Sequence, residues 1–423
     1  MHCTVIGGGL IGITTAWFLR QAGCTVTLLE RGEALGAETS FANGGMLHAS
    51  QASPWNEPGV IWQALKNLGR EDAALLIRPR AVPRMLGWTW AFFRNSSVRK
   101  FQLNLEKNTR LADYSLAVLN EHLSALNLNF VRQDNGTLKI YRTAAELDAA
   151  TRVAARGSDW GIRYHRLDPR QVMQLEPALA PIESVISGGI HFPDDISGDA
   201  NLFCNELANQ LTASGGDIRL NTRVEAIEIK QGAVCGVRTE HEVLESDVCV
   251  VAAASYSPAL LATCGLRLPV QPIKGYSLTV PIGAGEIKPR VPVIDEHYHA
   301  AVCPLGDRLR VAGTAEFAGF DRTLTRERIN NLYQLLTHVY PELSRAVDRS
   351  TVKEWSGLRP MSPDGVGIMG GTPVPGLYVN TGHGHLGWTM APAAGKLVAD
   401  LVCGEQPELE LQPYALERFG NGK

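Results

Sequence analysis

Residues 3–30 read CTVIGGGLIGITTAWFLRQAGCTVTLLE, and their order decides the first part of the fold. CTVIG (3–7) is a short apolar strand and LIGITTAWFLRQA (10–22) an apolar helix stopped by Gly23. TVTLLE (25–30) is a second strand that ends in an acid. Gly7, Gly9 and Gly12 fit G-x-G-x-x-G between strand and helix. The first glycine permits a tight turn, the second lets a pyrophosphate approach the backbone, and the third lets helix and strand pack closely. The helix start adds unpaired N–H groups and the positive end of its dipole. Glu30 stands where a carboxylate accepts hydrogen bonds from ribose hydroxyls, which disfavours a cofactor carrying a 2′-phosphate. GxGxxG alone is weak; strand, glycines, helix, strand and acid in register are not.

A second glycine loop lies near the other end of the chain, in GHGHLGWTMAPAAGK (382–396). LYVNT (377–381) before it reads as a strand. TMAPAAGKLVADLVCG reads as a helix, with Met390, Ala394, Leu397 and Leu401 on one face and Gly404 at its end. A reduced flavin carries negative charge near its N1–C2=O edge, which a helix N-terminus stabilises. A nicotinamide enzyme needs no second loop of this kind, so FAD is expected rather than NAD. His383 and His385 form an H-x-H with no nearby Cys, Asp or Glu to complete a ligand set, so no metal is expected.

The 423 residues carry a net charge of −3, which gives no hint of a nucleic-acid partner. Eight cysteines contain no CxxC pair, so zinc and disulfide frameworks are not expected and a reducing, cytoplasmic setting is. The N-terminus lacks the basic region and cleavage site of a signal peptide. No apolar run is long enough to span a bilayer.

Elsewhere, residues 39–60 are a Gly/Ser/Asn/Pro-rich loop, and apolar residues recur at helical spacing over 103–126. FVRQDNGTLKIYR (130–142) reads as a hairpin around Asn135-Gly136. Thr143 and Glu146 form a capping box, and Asp199 caps a further helix. The expected fold is α/β, a Rossmann-like FAD-binding domain (1–48, 174–266 and 358–423) interleaved with an α+β substrate domain (49–173 and 267–357) on a mainly antiparallel sheet.

VIGGGLIG (5–12), ETSFANGG (38–45), KGYSLTVP (274–281), GLRPMSPDG (357–365) and GHGHLGWTMA (382–391) together resemble the bacterial FAD-dependent D-amino acid dehydrogenases of the D-amino-acid-oxidase-like superfamily, nearly end to end. The resemblance implies flavin contacts at Ser40, Ala42, Asn43 and Gly44, and backbone contacts near the adenine at Val224. It places Gly382, His383, Gly384 and Gly387 beside the isoalloxazine ring. Histidine stands at 385 where the family pattern expects threonine, and Met46 and His48 replace smaller or amide-type residues. His385 is then a candidate substrate-pocket side chain.

Arg359 in GLRP is the expected carboxylate anchor, because a guanidinium fork binds a carboxylate bidentately where lysine cannot. Lys274 and Tyr276 are expected near the cavity. The implied reaction is oxidative deamination of D-amino acids, proline-like ones included, by hydride transfer from Cα to flavin N5. Electrons would pass to a quinone or another respiratory acceptor. Alternatives are an oxygen-using glycine, sarcosine or D-amino acid oxidase and a flavin-binding electron-transfer subunit. The aromatic and basic stretch 78–100 either packs inside the substrate domain or lies on the inner face of the cytoplasmic membrane.

Overall fold

The computed structural model describes residues 1–60, 62, 70, 71, 73, 75–283, 288–298 and 300–420. The N-terminal unit forms as its sequence predicts, with strand His2–Ile6, helix Leu10–Gln21 and strand Thr25–Leu29. These strands sit in a six-stranded sheet ordered Ile368–Gly371, Leu377–Thr381, Val248–Val251, His2–Ile6, Thr25–Leu29, Asp217–Arg219. All pairings are parallel except that of the edge strand Ile368–Gly371. Helices Leu10–Gln21 and Gly387–Cys403 pack together in one large apolar core, the second ending on Gly404 in the left-handed conformation.

Nine strands form the second sheet, in the order Lys353–Met361, Gln271–Pro281, Arg308–Phe317, Ala300–Leu305, Val293–Asp295, Thr137–Tyr141, Gly188–Phe192, His165–Leu167, with Leu75–Ile77 added beside Arg308–Phe317. It is mainly antiparallel, with two parallel pairings. Helix Arg326–Val339 lies on it, burying Ile329, Leu332 and Leu336 with Tyr276 and Leu278.

The hairpin expected around Asn135-Gly136 does not form. Val131 has φ +57°, which breaks the extended chain before the turn, and Gln133 makes only an isolated bridge with Ser197. Thr137–Tyr141 pairs instead with Gly188–Phe192. That partner belongs to the large sheet although it falls inside the 174–266 segment expected with the nucleotide-binding part. Leu358–Met361, also assigned to that part, completes a strand of the large sheet. The capping box of Thr143 and Glu146 and the Asp199 cap are both present.

The two glycine-loop helices meet where a side chain would not fit: a Cβ on Gly395 would lie 2.6 Å from the Thr14 carbonyl carbon. Gly395→Ala is therefore expected to destabilise the protein by about 1–3 kcal/mol through overpacking, although alanine is the better helix former by about 1 kcal/mol. An unchanged or raised denaturant midpoint would show that the helices have room to part.

Candidate functional site

A cavity of about 640 Å³ opens beyond the C-terminal ends of His2–Ile6, Val248–Val251 and Leu377–Thr381, bounded by Gly9, Ala252 and Thr381. Open parallel sheets place ligands at this edge. Gly7 adopts φ +113°, and a Cβ on Gly12 would come to 1.8 Å from the Gly7 carbonyl oxygen, so both glycines shape the loop from behind. Gly9 faces the cavity and starts the helix without a side-chain cap, while Ser40 Oγ accepts from the Leu10 N–H at 3.2 Å. Glu30 accepts from the N–H groups of Gly8 and Gly32, each at 2.8 Å. Each carboxylate oxygen retains a second lone pair for a hydroxyl. Val224 lies two residues beyond Thr222, whose N–H bonds the Glu30 carbonyl at 2.8 Å. This cradle fits a dinucleotide.

Ala42, Asn43 and Gly44 continue the cavity wall, and Gly384, His385 and Gly387 join it from the C-terminal loop. Gly382 (φ +78°) and Gly384 (φ +57°) let the loop turn, and Met361 and His383 make an isolated bridge. His383 is buried with neither ring nitrogen hydrogen-bonded. Among the described residues no group of three or more His, Cys, Asp or Glu could hold a metal.

Arg359 lies in strand Lys353–Met361 opposite Ile273, so its side chain shares a sheet face with Gly275. The guanidinium lies over that glycine: a Cβ at 275 would be 2.2 Å from Nη1. Nη1 donates to the Thr314 carbonyl at 3.0 Å, and the guanidinium carbon stands 5.4 Å from the Trp55 ring centroid. Trp55 stacks in turn on His385, with centroids 5.0 Å apart and planes at 16°. Burial lowers the Arg359 pKa to about 10, and no carboxylate among the described residues pairs with it.

Lys274 and Tyr276 belong to the opposite face of that strand. The Lys274 ammonium is fully buried, donates to the Thr323 carbonyl at 3.1 Å and pairs with Glu316 at 3.4 Å, away from the cavity it was expected to line. Tyr276 reaches the cavity wall, but its hydroxyl donates to Glu316 and bonds Thr325. Strand alternation separates both from Arg359, which their spacing in the sequence does not reveal.

Sequence reasoning missed Trp55, Gln51, Gly275, Thr314 and Trp355, all of which line the cavity. The Pro54-Trp55 pair within the long loop was a usable signal. Thr314 offered none.

Three imidazoles gather here in neutral form. Burial lowers His48 to about 4 and His383 to about 3; His385 falls to about 3 by burial, then by the charge of Arg359. An unfolded histidine titrates near 6.5. The unfolded chain therefore binds protons that the folded chain does not, and stability falls as pH drops from about 6.5 towards 4. Replacing His48 and His385 together by Gln should flatten the slope of denaturant midpoint against pH between about 7 and 5. An unaltered slope would mean that these rings are charged in the folded protein.

Comparison with known proteins agrees with this construction. The family described as FAD dependent oxidoreductase matches residues 2–401. A D-amino acid dehydrogenase of Allorhizobium ampelinum is 40% identical over 424 residues, covering 100% of both chains. One of Rhizobium johnstonii is 39% identical over 99% of this chain and 100% of its own. Among solved structures, L-proline dehydrogenase from P. horikoshii superposes with a TM-score of 0.78 at 20% identity, covering 100% of this chain and 98% of its own. Glycine oxidase from Bacillus cereus gives 0.75 at 23% identity over 98% of each. A dinucleotide cradle, a second glycine loop and a full-length family match lead to one assignment: the chain belongs to the FAD-dependent oxidoreductase family.

Proposed function

We propose that this chain oxidises the Cα–N bond of free D-amino acids with FAD as the immediate acceptor, and that the electrons pass on to a quinone or another respiratory acceptor. The observation that carries the reading is Arg359, a guanidinium at the cavity wall with no carboxylate partner among the described residues. An unpaired cation in a partly apolar cavity is costly unless a ligand supplies the anion. The D-amino acid dehydrogenases at about 40% identity over the full length support the substrate class and its hand.

Gly9, Leu10 and Ser40 would hold the FAD phosphates, Glu30 a ribose, and Ala42–Gly44 with Gly384–Gly387 the ring. FAD, when bound, supplies a two-electron acceptor for the hydride leaving Cα. Arg359 fixes the substrate carboxylate through its fork, which orients Cα. Trp55, stacked on His385, covers the fork and keeps water from it. His48 and His385 are too weakly basic to deprotonate an ammonium group, so the amine loses its proton to solvent as it is desolvated. The imino product hydrolyses to a 2-oxo acid and ammonia, or remains a cyclic imine if the substrate is proline-like. Met46 and His385 narrow the cavity, which favours small and cyclic substrates.

The acceptor's location bears on helix Val82–Arg94. Met85, Trp88 and Phe92 bury one side of it, whereas Val82, Leu86, Trp90 and Phe93 form a stripe at helical spacing that is 41, 63, 62 and 40% exposed. The exposed Arg94 lies over Trp90 at 4.6 Å. Arg78 pairs with Glu71 and Glu316 and is not a free basic group. The side chain of Arg84 lies outside the described residues. No described helix is long and apolar enough to cross a membrane. A peripheral contact through this stripe fits the chemistry of an anionic lipid surface, on the inner face of the cytoplasmic membrane.

Anaerobic mixing with single amino acids should bleach the flavin for D-isomers and leave it oxidised for L-isomers. Arg359→Ala should lose roughly 3–5 kcal/mol of binding to the reacting substrate, about two to four powers of ten in kcat/KM. Arg359→Lys should recover part of that, and the FAD spectrum should survive both. Equal reduction by L-isomers, or unchanged kinetics in Arg359→Ala, would overturn the reading. In flotation, anionic vesicles should carry the protein in a salt-sensitive way, and a Leu86→Ser/Trp90→Ser variant should stay behind. Binding indifferent to salt and to those substitutions would remove the membrane contact.

A further inference from the structure

Thr314 has φ +60°, a left-handed conformation that a β-branched residue rarely adopts. Strained backbone of this kind persists where the surrounding structure imposes it, often at functional sites. Here the strain comes with a bulge. Lys274 opposes Glu316 while Tyr276 opposes Gly313, so Gly275 alone faces Thr314 and Ala315. A bulge bends its strand and re-aims what it carries. The Thr314 hydroxyl is buried without a hydrogen-bond partner, so no side-chain bond accounts for the conformation. What the conformation achieves is a carbonyl directed at Arg359 Nη1.

We propose that Thr314 is a positioning residue for Arg359: its left-handed backbone turns the carbonyl onto Nη1 and, with Gly275 beneath the guanidinium, presents the free edge of the fork to the substrate carboxylate. Nε and Nη2 have no protein partner among the described residues, and this is the edge that takes a carboxylate with two parallel hydrogen bonds. Gly275 is required because a Cβ there would displace the guanidinium from Thr314. The Trp55 ring lies against the guanidinium as well, its centroid 5.4 Å from the guanidinium carbon. An arginine on an extended strand could swing through many rotamers; the hydrogen bond to Thr314 and the indole of Trp55 favour this one, and Gly275 leaves room for it. The inference rests on the reading of Arg359 as the carboxylate site.

Propionate, a carboxylate without an amine, tests the fork in the FAD-loaded enzyme through the perturbation of the flavin spectrum on binding. Thr314→Gly accepts the left-handed conformation without steric cost and should keep the propionate Kd within about threefold, with Tm unchanged or raised. Gly275→Ala should push the guanidinium off its carbonyl and weaken propionate by at least about tenfold, the loss expected when a charge-assisted contact is mispositioned. FAD content and Tm should hold. Thr314→Pro cannot adopt a positive φ and should behave like Gly275→Ala; if it fails to fold with FAD, Gly275→Ala decides alone. Wild-type affinity in Gly275→Ala overturns the proposal. So does a tenfold loss in Thr314→Gly, which would give the role to the side chain. If Arg359→Ala itself binds propionate normally, the carboxylate reading has failed instead, and the two failures are distinct.

Discussion

The close contact between helices Leu10–Gln21 and Gly387–Cys403 brings the two ends of the site together. The absence of a side chain at Gly395 lets the second helix lie against Thr14. Asn380 ties the same junction by donating to Thr15 Oγ1 and to the Ala394 carbonyl, both at 3.0 Å. Two glycine loops more than 370 residues apart in the chain thereby open at one edge of one sheet. Each loop starts a helix, so two positive dipole ends converge on the place where an anionic cofactor would lie. Without that contact the first loop would be a phosphate cradle with no ring site attached.

Across the cavity, the large sheet sorts charge by face. Glu316 gathers Lys274, Arg78 and the hydroxyl of Tyr276, and against the opposing effect of burial its carboxyl is held below its usual range by the Tyr276 hydroxyl, by Arg78 and by Lys274. These charges compensate one another. On the cavity side Arg359 has no carboxylate partner among the described residues, and burial keeps the nearby histidines neutral, helped at His385 by the charge of Arg359 and at His383 by that of Arg418. Among the described residues the guanidinium of Arg359 thus stands at the Trp55 wall without a carboxylate partner. Arg310, also buried, serves the loop instead, donating to the Asn43 carbonyl at 2.8 Å and to Thr279.

The same alternation explains both a success and a failure of sequence reading. GLRP marked Arg359 because a proline holds the residue before it extended, and that inference needs only neighbours in the chain. KGYS marked Lys274 and Tyr276, yet the residue between them touches the arginine. A shift of one position along a strand exchanges its faces, and local sequence does not say which face looks into a cavity when both are buried. Gln271–Pro281 is buried on both faces along most of its length, its lysine and serine included, so neither face stands out in its sequence.

By itself the sequence determined the strand–glycine–helix unit, the acid at its end, the C-terminal loop and helix with its glycine stop, and the helix caps at Thr143 and Asp199. Each of these is a local matter: a positive φ, an orphan N–H or an apolar period, settled within about ten residues. Only the tertiary structure decided that Thr137–Tyr141 pairs with Gly188–Phe192, that Trp55 folds over Arg359, that Thr314 turns left-handed and that the histidines remain neutral. Strand partners, a bulge and the desolvation of an imidazole all depend on what arrives from elsewhere in the chain, and no local pattern carries that information.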